Sequence, residues 1–324
     1  MSILDEELLR QIKLVRYQNG EIDYLLEVLE KYNLAIANEI KRKGLISTKK
    51  IYNDVRKHIS ALSKELRNEY SALLDVTELI ENEILFQKSL FEKFGIKDVK
   101  VPNANMIKTA VQFRPFIDTA NFESFLDSIQ TGFYNAWDNA VRLGYITGET
   151  SSSIVKRVMG SVAKNSKVAE HGTIETLRNS VERNTRTYLQ SMASEARLAI
   201  FEDNDDFFEG YQYIGTLDRR TCLVCGNFDN KLYESLKDVP RVPIHYNCRC
   251  TIVPVIKGMK SFTNKRSSSG GYVDESMDYA EWLETQDEKT QKYILGKERF
   301  EMYERGEKIT SFVNNGRVLN INEL

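Results

Sequence analysis

All four cysteines of this chain, Cys222, Cys225, Cys248 and Cys250, fall within residues 216–254, together with His245, one of only three histidines. The order is C-x-x-C, then nineteen residues, then H-x-x-C-x-C. A C-x-x-C turn aims two sulfurs at one point, which is half of a tetrahedral metal site. The second half must come from His245, Cys248 and Cys250, so five donors compete for four positions. If residues 248–250 begin a strand, both sulfurs leave one face and Arg249 leaves the other.

Other uses of these cysteines fit less well. Two disulfides need an oxidising compartment, and the N-terminus has no signal-peptide core. A redox C-x-x-C sits at a helix start in a βαβ setting, which Gly226-Asn227-Phe228-Asp229-Asn230 does not resemble. A catalytic zinc keeps one position open for water. Here donors exceed positions, and no H-E-x-x-H or H-x-E supplies a general base. The residue pattern therefore points to structural Zn2+.

The run T-x-D-x-R-T-C-x-x-C, a short hairpin, then P-x-H-x-x-C-R-C before apolar residues resembles the F-like minor head proteins of phage Mu and related tailed phages. The matching residues are Thr216, Asp218, Arg220, Thr221, Cys222, Cys225, Pro243, His245, Cys248, Arg249 and Cys250. One departure is visible: the family often has Asp-Gly in the hairpin, and this chain has Asp229-Asn230. Asn tolerates the left-handed backbone nearly as Gly does, so the turn should survive. A second segment, residues 279–324, resembles a C-terminal segment frequent in the same proteins. It matches through Trp282, Leu283, Gln286, Gln291, Leu295, Gly296, Arg299, Gly306, Phe312, Val313, Leu319 and Leu324.

The resemblance implies a non-enzymatic virion protein for head morphogenesis, made in the bacterial cytoplasm and placed inside the capsid near the portal vertex. Its implied partner is the portal protein. Scaffolding protein and double-stranded DNA, held without sequence preference, are further candidates, and no membrane is involved. The competing reading is an enzyme: a zinc-associated nuclease of the His-Asn-His sort, or a toxin-like transferase acting on nucleic acid or a host protein. That reading needs His245 free as a general base, or a nucleotide-binding glycine loop, or paired carboxylates in the helical arm. The arm shows neither the glycine loop nor the carboxylate pair, and His245, within three residues of Cys248, is better explained as a zinc ligand.

A chain of 324 residues has room for two or three domains. Its formal net charge of −2 advertises no nucleic-acid binding, so any DNA contact must come from a local patch. No stretch approaches the ~18 consecutive apolar residues of a membrane span. With five prolines and seventeen glycines, most of the chain is free to be helix. The expected fold class is mainly α, with a small α+β zinc-binding module and an elongated helical N-terminal arm.

Residues 1–115 read as that arm or bundle. A first helix starts at Ser2 and carries Leu4, Leu8, Leu9, Ile12 and Val15 to a stop at Asn19-Gly20. A second carries Ile22, Leu25, Leu26, Leu29, Ile36 and Ile40 to Gly44. From Thr48, a seven-residue recurrence of Ile59, Leu66, Leu73 and Ile80 predicts one long helix, in a bundle or antiparallel coil. Residues 95–115, with two prolines, read as a connecting loop or hinge.

Residues 116–256 are expected to form the head-morphogenesis domain, with the zinc module at 210–256. The sequence predicts a helix over 122–143 closed by Gly144, and a helix cap rather than a nucleophile at Ser151-Ser152-Ser153. Residues 163–171 read as mobile. A long helix over 174–201 carries Arg178, Arg183, Arg186 and Arg197, set either for phosphates or for Glu175, Glu182 and Glu195. The acidic stretch 203–209 lacks the ligand period of a calcium loop. Short strands are expected at 210–215, 231–233 and 251–253, with Asp218 fixing the turn before Cys222. Residues 257–278 read as a flexible, locally basic linker. Residues 279–324 read as a small helical module built on Trp282, Ile294, Leu295, Phe300 and Tyr303, with Gly306 ending its second helix.

Overall fold

The computed structural model describes residues 2–162, 169–170, 172–259, 265–314 and 316–323. Ser2 starts α1 (Ile3–Lys43): its Oγ accepts from the Asp5 N–H at 3.1 Å, and Asp5 accepts the Ser2 N–H at 3.0 Å. This reciprocal cap is a strong local start signal. The helix then runs straight through Asn19-Gly20, where the sequence predicts a stop. A helical glycine costs about 1 kcal/mol, and burial of Leu14, Ile22 and Leu25 around it outweighs that.

Thr48 caps α2 (Lys49–Leu73), and α3 (Thr77–Lys93) follows after a break. The heptad run is thus two helices. Leu74, off the heptad pattern, and Val76, on its interleaved set, are both buried in the turn between them. Next come α4 (Ala104–Gln112) and α5 (Phe122–Thr147), the latter opened by an Asn121/Ser124 capping box. Gly144 does not end α5. A Cβ there would lie 2.4 Å from Ile154 Cδ1, so this glycine lets α6 (Ser151–Met159) pack against α5. The stop is Gly148, at φ +69°. Thr150 Oγ1 accepts the Ser153 N–H at 3.2 Å, so the serine run is part of a helix cap.

Strands β1 (Ser161–Val162) and β2 (Ala169–Glu170) pair antiparallel. The intervening residues 163–168, and 171, which the sequence marks as mobile, lie outside the described residues. The helix α7 (Ile174–Asp203) leads into β3 (Phe208–Ile214), α8 (Leu223–Phe228), β4 (Leu232–Tyr233) and β5 (Thr251–Ile256). All three strands form one antiparallel sheet in the order β4-β3-β5. Pro254 pairs with Tyr211 on the edge strand β5, where a missing N–H is tolerated.

Residues 257–278 are not simply a linker. Strands β6 (Lys265–Ser268) and β7 (Gly271–Asp274) form a hairpin, while residues 260–264 lie outside the described residues. The chain closes with α9 (Tyr279–Glu284), α10 (Glu288–Leu295), α11 (Lys297–Glu304) and the paired β8 (Val313–Asn314) and β9 (Arg317–Val318). Among the described residues, no helix is long and apolar enough to cross a membrane.

Two compact units are assembled from separated stretches of this chain, and residues 1–115 contribute to both. One unit comprises 17–76 and 112–189. In it α2 packs along α5, and the buried Trp137 donates to Asn33 Oδ1 at 2.9 Å. Arg56 clamps Asp138 at 2.5 and 3.3 Å, and the Phe122 ring stacks on Tyr188 at 4.7 Å. Arg178 and Arg186 pair with Glu175 and Glu182 at 3.7 and 3.0 Å, the solvated-face arrangement.

The other unit comprises 1–16, 77–111 and 190–324, and it holds every cysteine. Its sheet is covered at one place by Leu4 of α1, packed on Ile214 and Val253. An apolar cluster in it joins Tyr279, Trp282, Leu283, Leu295 and Phe300 to Leu217 and Leu223. The C-terminal helices therefore share their core with the cysteine segment, and the expected Ile294 and Tyr303 pack at its margin.

Candidate metal centre

The loop after β3 is built by Asp218. Its Oδ1 accepts the N–H groups of Arg220 and Thr221 at 2.9 and 3.1 Å, as the sequence predicts. The same carboxylate takes both Arg249 guanidinium nitrogens at 2.6 and 2.8 Å. Burial alone would raise this acid, but Arg249 and the Arg220 N–H hold it below its ordinary value. One side chain thus ties the C-x-x-C turn to the C-x-C turn.

Cys222 caps α8, its Sγ accepting the Cys225 N–H at 3.4 Å. The C-x-x-C therefore does start a helix, contrary to the sequence expectation, though a six-residue one beside an antiparallel sheet. Gly226 in that helix faces the Tyr279 ring so closely that a Cβ would sit 2.3 Å from Cδ1. The Tyr279 O–H donates to Thr221 O at 3.0 Å. After α8, Asn230 takes the left-handed conformation at φ +64°, as expected for the hairpin. Asn247 does the same at φ +62°, in the turn where the Cys248 N–H meets His245 O at 3.1 Å. The Val242–Pro243 peptide is cis.

These turns bring all five donors together. Cys225 Sγ lies 3.1 Å from His245 Nε2 and 3.9 Å from Cys248 Sγ. Cys222, Cys225 and His245 are within 4.8 Å of one another, and so are Cys225, Cys248 and Cys250. Cys225 belongs to both groups. With Zn–S near 2.3 Å, two sulfurs of a tetrahedral site stand about 3.8 Å apart, close to the Cys225–Cys248 separation. The donors are close enough to hold a metal ion.

His245 is oriented for ligation. Its Nδ1 meets Tyr246 O at 2.8 Å, and a carbonyl can only accept, so Nδ1 carries the hydrogen and Nε2 faces the sulfurs. Without a metal, hydrogen bonding from Cys225 and then His245 pushes the Cys222 thiol down to about 4. Cys222 in turn pushes His245 up to about 9. Cys225 and Cys250 hold Cys248 well below the thiol range. A cation would replace these shared protons on binding. The fully buried Tyr213 O–H donates to Cys225 Sγ at 3.5 Å, and burial together with the nearby sulfurs keeps its phenol protonated.

Several supports have no sequence signal. Asp229 accepts the Gly215 N–H at 2.7 Å and is locked by Arg266, at 3.0 and 3.1 Å. Arg266 comes from the stretch that reads as a linker, yet only 1% of its side chain is exposed. From α7, Gln190 donates to Cys250 O at 3.2 Å, and Arg197 donates to Thr251 Oγ1.

Fold and site together define a mainly helical protein with a largely buried Cys/His cluster able to hold a metal ion, Cys222 and His245 being half-buried. Compared with protein-family models, curated proteins and solved structures, the chain matches none of them.

Proposed function

We propose that the bound ion is structural Zn2+ and that the chain is a minor head protein of a tailed bacteriophage. In this reading it acts by binding, at the portal vertex, in procapsid assembly and in DNA packaging or ejection. The observation that carries the reading is the saturation of the cluster: five soft or borderline donors converge, and the three sulfurs of Cys225, Cys248 and Cys250 are buried. Thiolate and imidazole donors favour zinc over oxygen-seeking cations. A full set leaves no position for substrate water, which supports a structural ion over a catalytic one.

The virion role rests on the resemblance in residues 216–254 and 279–324. Those two stretches pack as one body, with Tyr279 on Gly226 and with Leu217 and Leu223 in the core around Trp282. A shared core fits their occurring together in one class of protein. The nuclease reading needs His245 as a free base, and its Nε2 is directed into the sulfur cluster instead.

Metal analysis of the full chain, purified without chelator, is expected to give one zinc per chain. Co-expression with the portal protein of the same phage is expected to yield a complex, and a density map of the procapsid should place the chain at the portal vertex. Absence of metal from reduced, folded protein removes the zinc assignment. DNA cleavage that needs zinc and disappears in a folded His245→Ala variant removes the non-enzymatic one.

A further inference from the structure

The unit that carries the cysteines also seals a polar cluster that the proposed function does not use. Glu7 on α1, Glu83 on α3 and Arg197 on α7 are 0%, 0% and 1% exposed. Glu83 is well satisfied. Its Oε1 accepts from Arg197 Nε and Nη2 at 3.0 and 2.8 Å, and its Oε2 accepts from Arg10 Nε at 2.8 Å. The third Arg197 nitrogen donates to Thr251 Oγ1.

Glu7 is different. Neither of its carboxylate oxygens has a hydrogen-bond donor, and Arg197 Nε stands 3.6 Å away. Beside it, the Gln87 amide donates Nε2–H to Glu83 Oε1 at 3.2 Å, which leaves Gln87 Oε1 buried and also without a donor. Acceptors on Glu7 and Gln87 thus lack a hydrogen. Turning the amide over would give Glu7 a donor, but it would aim Oε1 at the Glu83 carboxylate and forfeit that bond. A buried acceptor left without a donor is destabilising, and more so when charged. One proton removes both deficits.

We propose that Glu7 carries a proton in the folded protein and donates it to Gln87 Oε1, which makes the seating of residues 3–16 a proton-dependent latch. The groups facing Glu7 are Arg10 from its own helix, Glu83 from α3 and Arg197 from α7, while β5 presents the uncharged Thr251. Burial, seconded by Glu83, outweighs Arg197, the polar Gln87 amide and Arg10, and lifts the Glu7 carboxyl from 4.5 to about 7. The sign follows. The folded chain keeps a proton that the unsealed chain releases, so the latch is fully effective below 4.5 and is lost as pH rises through about 7.

Hydrogen exchange of the full-length protein, corrected for intrinsic rates, tests this. In wild type, protection across residues 3–16 and 77–93 is expected to fall about tenfold between about pH 6 and about pH 8. Glu7→Gln keeps a neutral donor and should hold its protection across the same range. An equal fall in the variant, or lower protection than wild type at every pH, overturns the proposal, because Glu7 would then be an ionised partner of Arg197. Should Glu7→Gln fail to fold, wild type alone decides: a pH-independent protection of residues 3–16 overturns the latch.

Discussion

Arg266→Met tests whether the β6–β7 hairpin is a fixed part of the metal module. In the wild type Arg266 Nη2 donates to Gly215 O at 2.8 Å and to Asp229 Oδ1 at 3.0 Å. Its Nη1 donates to Asp229 Oδ2 at 3.1 Å and to Met277 O at 3.0 Å. Methionine fills the space of the stem but leaves two carbonyls and a carboxylate of 0% exposure without these donors. Breaking a buried ion pair from one side costs about 3–5 kcal/mol. Burial already holds the Asp229 carboxyl above its ordinary value despite Arg266. In the variant it should take up a proton rather than remain a bare charge, which limits the loss to about 4 kcal/mol.

Local opening measured by hydrogen exchange over residues 265–284 should then become easier by close to a thousandfold. The double variant Asp229→Asn with Arg266→Met should recover about 1–3 kcal/mol, since no charge is left stranded. An Arg266→Met protein within about 1 kcal/mol of wild type would refute the reasoning. So would a double variant whose loss equals the sum of the two single losses.

Cys225→Ser should sharply weaken metal retention, because Cys225 is the donor common to both groups. Protection should then fall over residues 210–256 and also over 279–304, while the helices of the 17–76 and 112–189 unit keep theirs; a metal content equal to wild type would contradict this. Gly226→Ala drives a methyl into the ring of the buried Tyr279, and a loss of about 1–3 kcal/mol should appear as a lower melting temperature. An unchanged melting temperature would mean that α8 and α9 separate at little cost.

Features encoded within a few residues were the legible ones. The metal donors stand out because ligand chemistry demands scarce residue types at short spacing. Caps at Ser2 and Thr150, and the left-handed Asn230, are equally local. The misreadings arose where distant partners override local signals. Arg197 sits among glutamates of its own helix, yet its carboxylate is on Glu83, 114 residues away. Glu195, which reads as its neighbour, pairs instead with Arg241 at 3.4 Å. Arg266 hides in a serine- and glycine-rich run, and only Asp229, 37 residues upstream, gives it a reason to be there. Gly144 reads as punctuation but is spacing for Ile154. Glycine's two uses, flexibility and smallness, look the same in a sequence.

The interleaving of the two units bears on how the chain comes off the ribosome. Residues 1–16 and 77–111 belong with 190–324. They emerge first and must wait for residues 190–324. At ~5–20 residues per second, synthesis of the remainder takes about 10–40 s. The 17–76 and 112–189 unit is complete before that, so it can form while its flanking helical pieces are still without their sheet. During the wait, Leu4 and Leu14 lack a core and Glu7 remains in water as an ordinary acid. The thiols and His245 emerge within a few seconds of one another, ahead of the C-terminal helices that share their core. Under the proposed zinc assignment, metal capture then falls in the same interval as closure of the late unit, and zinc supply during translation should govern the yield of completed protein.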